Sequence, residues 1–234
     1  KDTVPQVYYG DLYNETDQYM QTKSMYYDAI TALMKARAEF VSGGQAMNKI
    51  NDHLLTSVRY GKGVMNGLSM GTDPLSRTTG MAVVVGNDPS MKEQVVEINM
   101  GAAHANEKYR NLIDSTDDGL TYDDSEAINP EVLSTDSKGI LRVVVKGYSN
   151  PYVSGYLSVW VPLINGDQDA RTGSQEVENV ANKIYVSNAA LDSHMIWEDF
   201  SLFEPEPTST TEHAYNVIKN NANLFSKLGI TDFW

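Results

Sequence analysis

The sequence predicts an α/β plus β chain in which two α/β pieces flank an antiparallel, β-rich block. Three observations carry this reading. Residues 4–44 show a strand, a polar loop and an amphipathic helix. Residues from about 50 to 163 show short apolar runs separated by Gly, Asp and Asn turns. Residues 195–234 show a strand, a loop, a helix and a second strand.

In the first piece, Val4 to Tyr9 is short, apolar and rich in strand-forming residues, and Gly10-Asp11 ends it. Asp11 to Gln21 is a polar loop that still carries Tyr13, Tyr19 and Met20. From Lys23 the period changes. Tyr26, Ile30, Leu33, Arg37 and Phe40 recur at three and four residues, with Ala29, Met34 and Val41 beside them, which is one face of a helix. Gly43-Gly44 supplies its stop.

The middle block opens with a strand at Leu54–Tyr60, ended by Gly61-Lys62-Gly63, and a loop at Val64–Thr79. Met81 to Val85 is apolar throughout and reads as a buried strand, turned by Gly86-Asn87-Asp88-Pro89. Val95–Met100 follows, then a strand and turn over Tyr109–Tyr122 around Asp117-Asp118-Gly119, then Ile140–Lys146 and Tyr156–Leu163. Strands at this spacing predict an antiparallel sandwich. Asn165 to Asn188 is a polar surface stretch with one weak strand at Lys183–Val186.

The last piece starts with Met195-Ile196-Trp197 and Phe200. Phe203 to Thr211 is a loop stiffened by Pro205 and Pro207, and Ser209 with Glu212 has capping-box spacing. The helix behind it carries Ala214, Val217, Ile218, Asn221, Leu224, Phe225 and Leu228, and Gly229 stops it. Ile230 to Trp234 is the next strand. This is the parallel crossover unit. Val4–Tyr9 and Met195–Trp197 are therefore expected side by side in one parallel sheet, with Val7 beside Ile196. An apolar run reaching Trp234, and a start at Lys1, lead us to expect a fragment of a longer enzyme or one chain of a nicked one.

The 234 residues suffice for one large domain or two small ones, and 41% are hydrophobic. A net charge of −13 without a Lys/Arg cluster argues against nucleic acid and an anionic membrane surface as partners. With no cysteine there is neither a disulfide nor a thiolate metal site. No apolar run approaches the roughly 20 residues of a membrane helix.

Metal and nucleophile motifs are missing. His53, His104, His194 and His213 are isolated and read as surface or hydrogen-bonded core histidines, His194 as a structural one before its strand. Asp123-Asp124 with Glu126 lacks the spacing of a calcium loop and reads as a solvated turn. Gly61-Lys62-Gly63 lacks the Ser/Thr and the upstream Gly of a phosphate loop. The better candidates follow strands, because (β/α)8 barrels place their sites at the carboxyl ends of the strands. That aims Asp11, Tyr13 and Gln18 at a site from the first unit, Phe200 and Phe203 from the second, and Trp234 from the third. Aromatic rings beside carboxylates and amides suit sugars, which offer apolar faces and many hydroxyls. The plainer reading is that these aromatics only pack loops.

Several long stretches resemble glycoside hydrolase family 70. They are VPQVYYGDLY followed by QYM, YYDAI-TALMKAR, VSGGQAM, LLTSVRYGKG, RTTGMAVVVGN, INMGAAHANEKYR, KGYSNPYVSGYLSVWVP, DQDAR and NAALDS. The resemblance covers essentially the whole chain, and SVRYGKG, NMGAAH and NPYVSGYL are specific. It implies part of a circularly permuted (β/α)8 barrel with an inserted antiparallel β-sandwich, domain C. Residues 1–49 would then be the last barrel strand and helix, 50–188 domain C, and 189–234 the first strand, its helix and the second strand. Glucansucrases of this family carry a Glu-Met-Ala-Pro run after the second-strand Phe, whereas here Phe233 is followed by Trp234. That feature, with VPQVYYGDLYNETDQYMQTKS and DFSLFEPEPT, resembles the 4,6-α-glucanotransferases. The implied activity is cleavage of α-1,4-glucans and formation of α-1,6 linkages by a retaining double displacement, as part of a secreted or cell-surface bacterial transferase.

Two alternatives stand beside it: a sucrose-dependent glucansucrase (dextransucrase), and, outside the enzyme class, a non-catalytic carbohydrate-binding module. The resemblance places the catalytic carboxylates and the calcium ligands in segments beyond this chain, so no catalytic or metal residue is assigned in it, although calcium is expected in the full enzyme. Asp11, Tyr13 and Gln18 remain the substrate-binding candidates. The expected partners are α-glucan or sucrose and the remaining segments of the same enzyme.

Overall fold

The computed structural model describes residues 4–15, 20–122, 131–163, 192, 194–198 and 213–234. The chain forms two compact units, Lys1–Glu39 with Asn188–Trp234, and Phe40–Ser187. Its elements begin with β1 (Gln6–Tyr8), α1 (Tyr9–Leu12) and α2 (Tyr27–Phe40). Then come β2 (Gln45–Asn51), β3 (Leu54–Arg59), β4 (Met81–Gly86), β5 (Gln94–Asn99) and β6 (Lys108–Ser115). They continue with β7 (Leu120–Tyr122), β8 (Val132–Ser134), β9 (Ile140–Val145), β10 (Tyr148–Ser149) and β11 (Ser154–Pro162). The last are β12 (Ile196–Glu198), α3 (Ala214–Asn220), α4 (Ala222–Leu228) and β13 (Asp232–Phe233).

In the first unit β1, β12 and β13 form a parallel sheet in that order. Val7 lies opposite Trp197, and Ile196 opposite Gln6, one residue away from the expected pairing of Val7 with Ile196. The slip has a packing reason. Partners in a row point to the same side of a sheet, so Val7 and Trp197 enter one core with Tyr9, Tyr13, Met195, Phe225 and Leu228. The first strand also ends earlier than expected, because Tyr13 N–H donates to Tyr9 O (2.9 Å) and closes a helical turn at Tyr9. The expected single C-terminal helix is two, divided at Asn221. Asn221 Nδ2 donates to Val217 O at 2.8 Å, a side chain competing with the backbone ladder. α4 then stops at Gly229, whose φ of +76° is the left-handed conformation of a helix cap.

The second unit is antiparallel. Its larger sheet runs β2-β3-β4-β11-β6-β7, with β10 on β11 and β8 on β6. Its smaller sheet pairs β5 with β9. Val96, Ile98, Leu141, Val143 and Val145 of the small sheet share one buried cluster with Leu54, Val58, Ala82, Val84, Tyr156 and Trp160 of the large one. On β5 and β9 the alternate residues face out, where Arg142 Nε donates to Glu97 Oε1 at 2.9 Å. The sequence reading missed β2. It is an edge strand exposed from Met47 onward, Met47 and Ile50 included, so it shows no alternation of apolar inside and polar outside to find. The expected strand at Lys183–Val186, the Asp123–Glu126 turn, Phe200, Phe203 and the Ser209–Glu212 pair lie outside the described residues.

Candidate functional site

The candidates from the first unit sit where the chain leaves β1. α1 buries Tyr9 and Leu12 and leaves Asp11 exposed. Tyr13, one residue beyond, points inward and is 4% exposed. Its ring stacks on Trp197 (6.0 Å, 13°) and meets Tyr27 edge-on (5.3 Å), with the Tyr13 hydroxyl 3.4 Å from that of Tyr27. Burial first, and the Tyr27 hydroxyl second, hold the Tyr13 phenol well above its ordinary range, so it stays a neutral hydroxyl. Burial also raises Tyr9, against the pull of the Met20 N–H that donates to its oxygen at 2.8 Å.

The chain on either side of residues 16–19 is tied together just beyond Tyr13. Tyr13 bridges to Lys23, Asn14 N–H donates to Thr22 O (2.8 Å), and Ser24 N–H donates to Leu12 O (2.8 Å). Phe233 of β13 extends the rings, 6.3 Å from Trp197 and 5.0 Å from Phe225. Trp234, just past that strand, is exposed. The three strands thus end on an aromatic floor, with Asp11 at its surface and Tyr13 within it. Gln18 lies outside the described residues. Trp197, at the centre of the floor, appeared in the sequence only as a buried strand residue; its size and position in the strand were the available signal.

At its surface this end of the unit offers a ligand the Asp11 carboxylate and the Trp234 ring, while Tyr9, Tyr13 and Trp197 are buried beneath. Among the described residues no three His, Asp or Glu side chains lie close enough to hold a metal ion. The opposite strand ends carry different contacts. His194 Nδ1 lies 3.1 Å from Asp232 Oδ2, and the Thr231 hydroxyl donates to the same oxygen at 2.7 Å. The Thr231 hydroxyl first, then His194, lower the Asp232 carboxyl below its ordinary range. A cavity of about 510 Å³ lies near that end, walled by Arg37 and Ala38 of α2 and by Gly229 to Thr231 before β13. Phe225 and Phe233 of the aromatic floor also line it, whereas Asp11 and Tyr13 do not.

His104 proves to be a hydrogen-bonded core histidine of the second unit, 1% exposed. Its Nδ1 lies 2.7 Å from Glu107 Oε2 and its Nε2 2.7 Å from Tyr60 O. Arg77 closes the network on the other oxygen of Glu107. The Thr135 hydroxyl donates to His104 O (2.5 Å) and accepts from Glu107 N–H (2.9 Å). These bonds join four separate stretches of chain and leave no group turned toward a ligand.

The sequence model for glycosyl hydrolase family 70 matches residues 1–234. The chain belongs to glycosyl hydrolase family 70. Among curated family-70 relatives, it is 43% identical to glucosyltransferase-I of Streptococcus mutans serotype c and 44% identical to glucosyltransferase-I of Streptococcus downei. All of this chain is covered in both comparisons, but it spans only 16% and 15% of those relatives' length. Among solved structures, it is similar to truncated alternansucrase from Leuconostoc mesenteroides (39% identity, TM-score 0.79), covering 100% of this chain and 23% of that one. It is also similar to alternansucrase in complex with isomaltotriose (40% identity, TM-score 0.79), covering 100% of this chain and 22% of that one. The family-70 segment described above is thus a mixed, mostly β structure of the alternansucrase kind.

Proposed function

We propose that this family-70 chain is a segment of an α-transglucosylase that builds α-glucans by retaining glucosyl transfer, with an α-1,4-glucan as donor and α-1,6 linkages in the product. The observation that carries it is the family match over the whole chain, joined to an aromatic floor at the carboxyl ends of three parallel strands. In this reading the first unit is part of the permuted (β/α)8 barrel, and the second is the sandwich inserted in it as domain C. The parallel order β1-β12-β13 and a core shared by two antiparallel sheets support that assignment. Nucleophile, acid/base and calcium ligands belong to other segments of the parent, which acts outside the cell. Asp11 and Gln18 are assigned to the acceptor sugar, and the buried Tyr13 supports Asp11 from the core. The donor rests on Trp234 following Phe233. A second reading, sucrose as donor, is favoured by relatives named as glucosyltransferases and alternansucrase.

The test offers the parent enzyme sucrose and, separately, maltoheptaose, and reads linkages by NMR. New α-1,6 signals from maltoheptaose without fructose from sucrose are expected. Rapid fructose release assigns the sucrose donor instead. Turnover of neither returns the chain to a carbohydrate-binding module.

A further inference from the structure

Tyr152 stands in the turn between β10 and β11 and is 44% exposed. Such a ring is normally left to move, yet the surrounding backbone holds this one. Asn150 Nδ2 donates to Thr116 O (2.8 Å) and Gly119 O (3.2 Å), both in the turn between β6 and β7. Asn150 Oδ1 accepts the N–H groups of Tyr152 and Val153, both at 2.8 Å. One amide therefore locks two hairpin turns together. The Tyr152 ring rests its Cδ2 edge on Gly119, where an added Cβ would lie 3.1 Å away, and Gly119 has φ +155°. Only glycine gives the ring that seat. A third tie joins the same turn to the end of β9, where Lys146 Nζ lies 3.3 Å from Asp117 Oδ1.

The turn that seats the ring also carries two exposed carboxylates, Asp118 and the Lys146-paired Asp117. A preordered aromatic ring with hydrogen-bond acceptors in the same turn is the composition that receives a sugar: C–H groups on the ring, hydroxyls to the carboxylates. Holding the ring in advance removes much of the ordering cost of binding. With Asp117 paired to Lys146, the Asp118 carboxylate and the net charge of −13 still disfavour an anionic ligand and favour a neutral glycan.

We propose that Tyr152, with Asp117 and Asp118, is a glucan-binding platform on the second unit that takes neutral α-glucan chains. The choice of glucan rests on the function proposed above. The experiment uses the parent enzyme in native gels containing dextran or, separately, soluble starch, comparing wild type, Tyr152→Ala and Tyr152→Phe. Unchanged melting temperatures control for folding, and turnover of maltoheptaose and sucrose is measured in parallel. Tyr152→Ala is expected to weaken retention by at least one polymer about fivefold, with Tyr152→Phe close to wild type and turnover of the short donors unchanged. Retention unchanged in Tyr152→Ala with both polymers overturns the platform, as does equal loss in Tyr152→Phe. A mutation-free arm nitrates wild type with and without dextran and starch and maps tyrosines by mass. Tyr152 should be protected and the exposed Tyr215 should not; equal nitration of Tyr152 in all samples also overturns the platform. A parent that turns over neither donor refutes the proposed activity and leaves the retention comparison to decide the platform separately.

Discussion

Tyr13 shows how burial changes the meaning of a candidate residue. Its ring lies between Trp197, Tyr27 and Tyr9, so Tyr13→Ala removes core packing before it alters any ligand contact. We expect a loss of about 3 kcal/mol in the first unit, with Tyr13→Phe costing less than about 1 kcal/mol. The check is the unfolding of that unit in urea; an alanine variant as stable as wild type would remove Tyr13 from the core. Asp114 makes a separate, pH-dependent prediction. Burial raises its carboxyl above the ordinary 3.8, only partly offset by the Tyr156 hydroxyl (3.1 Å) and Ser115 N–H (2.9 Å) that it accepts. With the folded value above the unfolded one, the folded state holds the extra proton between them. Stability therefore falls as pH rises through that window. Asn keeps an acceptor oxygen for both donors and cannot ionise. Asp114→Asn should thus flatten the fall in melting temperature above pH 3.8, and an identical slope in both proteins would refute the assignment.

Among the elements, the end of α4 is held by geometry rather than by side-chain bonds. Gly229 takes φ +76°, and an added Cβ would meet Ala38 Cβ of α2 at 2.6 Å. Gly229→Ala combines left-handed strain with a clash between two helices, and should cost about 2 kcal/mol in thermal unfolding of the first unit. A melting temperature equal to wild type would show that α2 and α4 can separate freely. The same elements show what a sequence can carry. The stop at Gly229, the alternation over Ile140–Val145 and the apolar run at Met81–Val85 were legible, because each is a local pattern with one physical cause. The pairing of Val7 with Trp197 was not, since register depends on which side Trp197 must enter. The short strands β8 and β10 are too brief to show a period, and the break at Asn221 turns on one side-chain amide. In the candidate site, Asp11 beyond a strand could be read from its neighbours. That Tyr13 faces the floor while Asp11 faces solvent follows from α1, a four-residue helix with no period of its own.

At the scale of the molecule the two units differ in how they close. Phe40–Ser187 is one continuous stretch with long central strands, six residues in β4, nine in β11 and eight in β6. The other unit joins Lys1–Glu39 to Asn188–Trp234 across that whole stretch, a closure paid in chain entropy. Its strands are three, three and two residues long, and among the described residues β1 and β13 each pair on one edge only. Short strands with open edges resist opening poorly. In the 234-residue chain by itself, amide hydrogen exchange should therefore reach β1, β12 and β13 well before β4, β11 and β6. If the first unit is part of a barrel, the parent's neighbouring strands cover those edges. Exchange in β1 and β13 should then slow in the parent, while exchange in β4 and β11 stays as it was. Equal protection of both units in the chain alone would show that three short strands suffice without neighbours, and would take away the structural ground for placing them in a larger sheet.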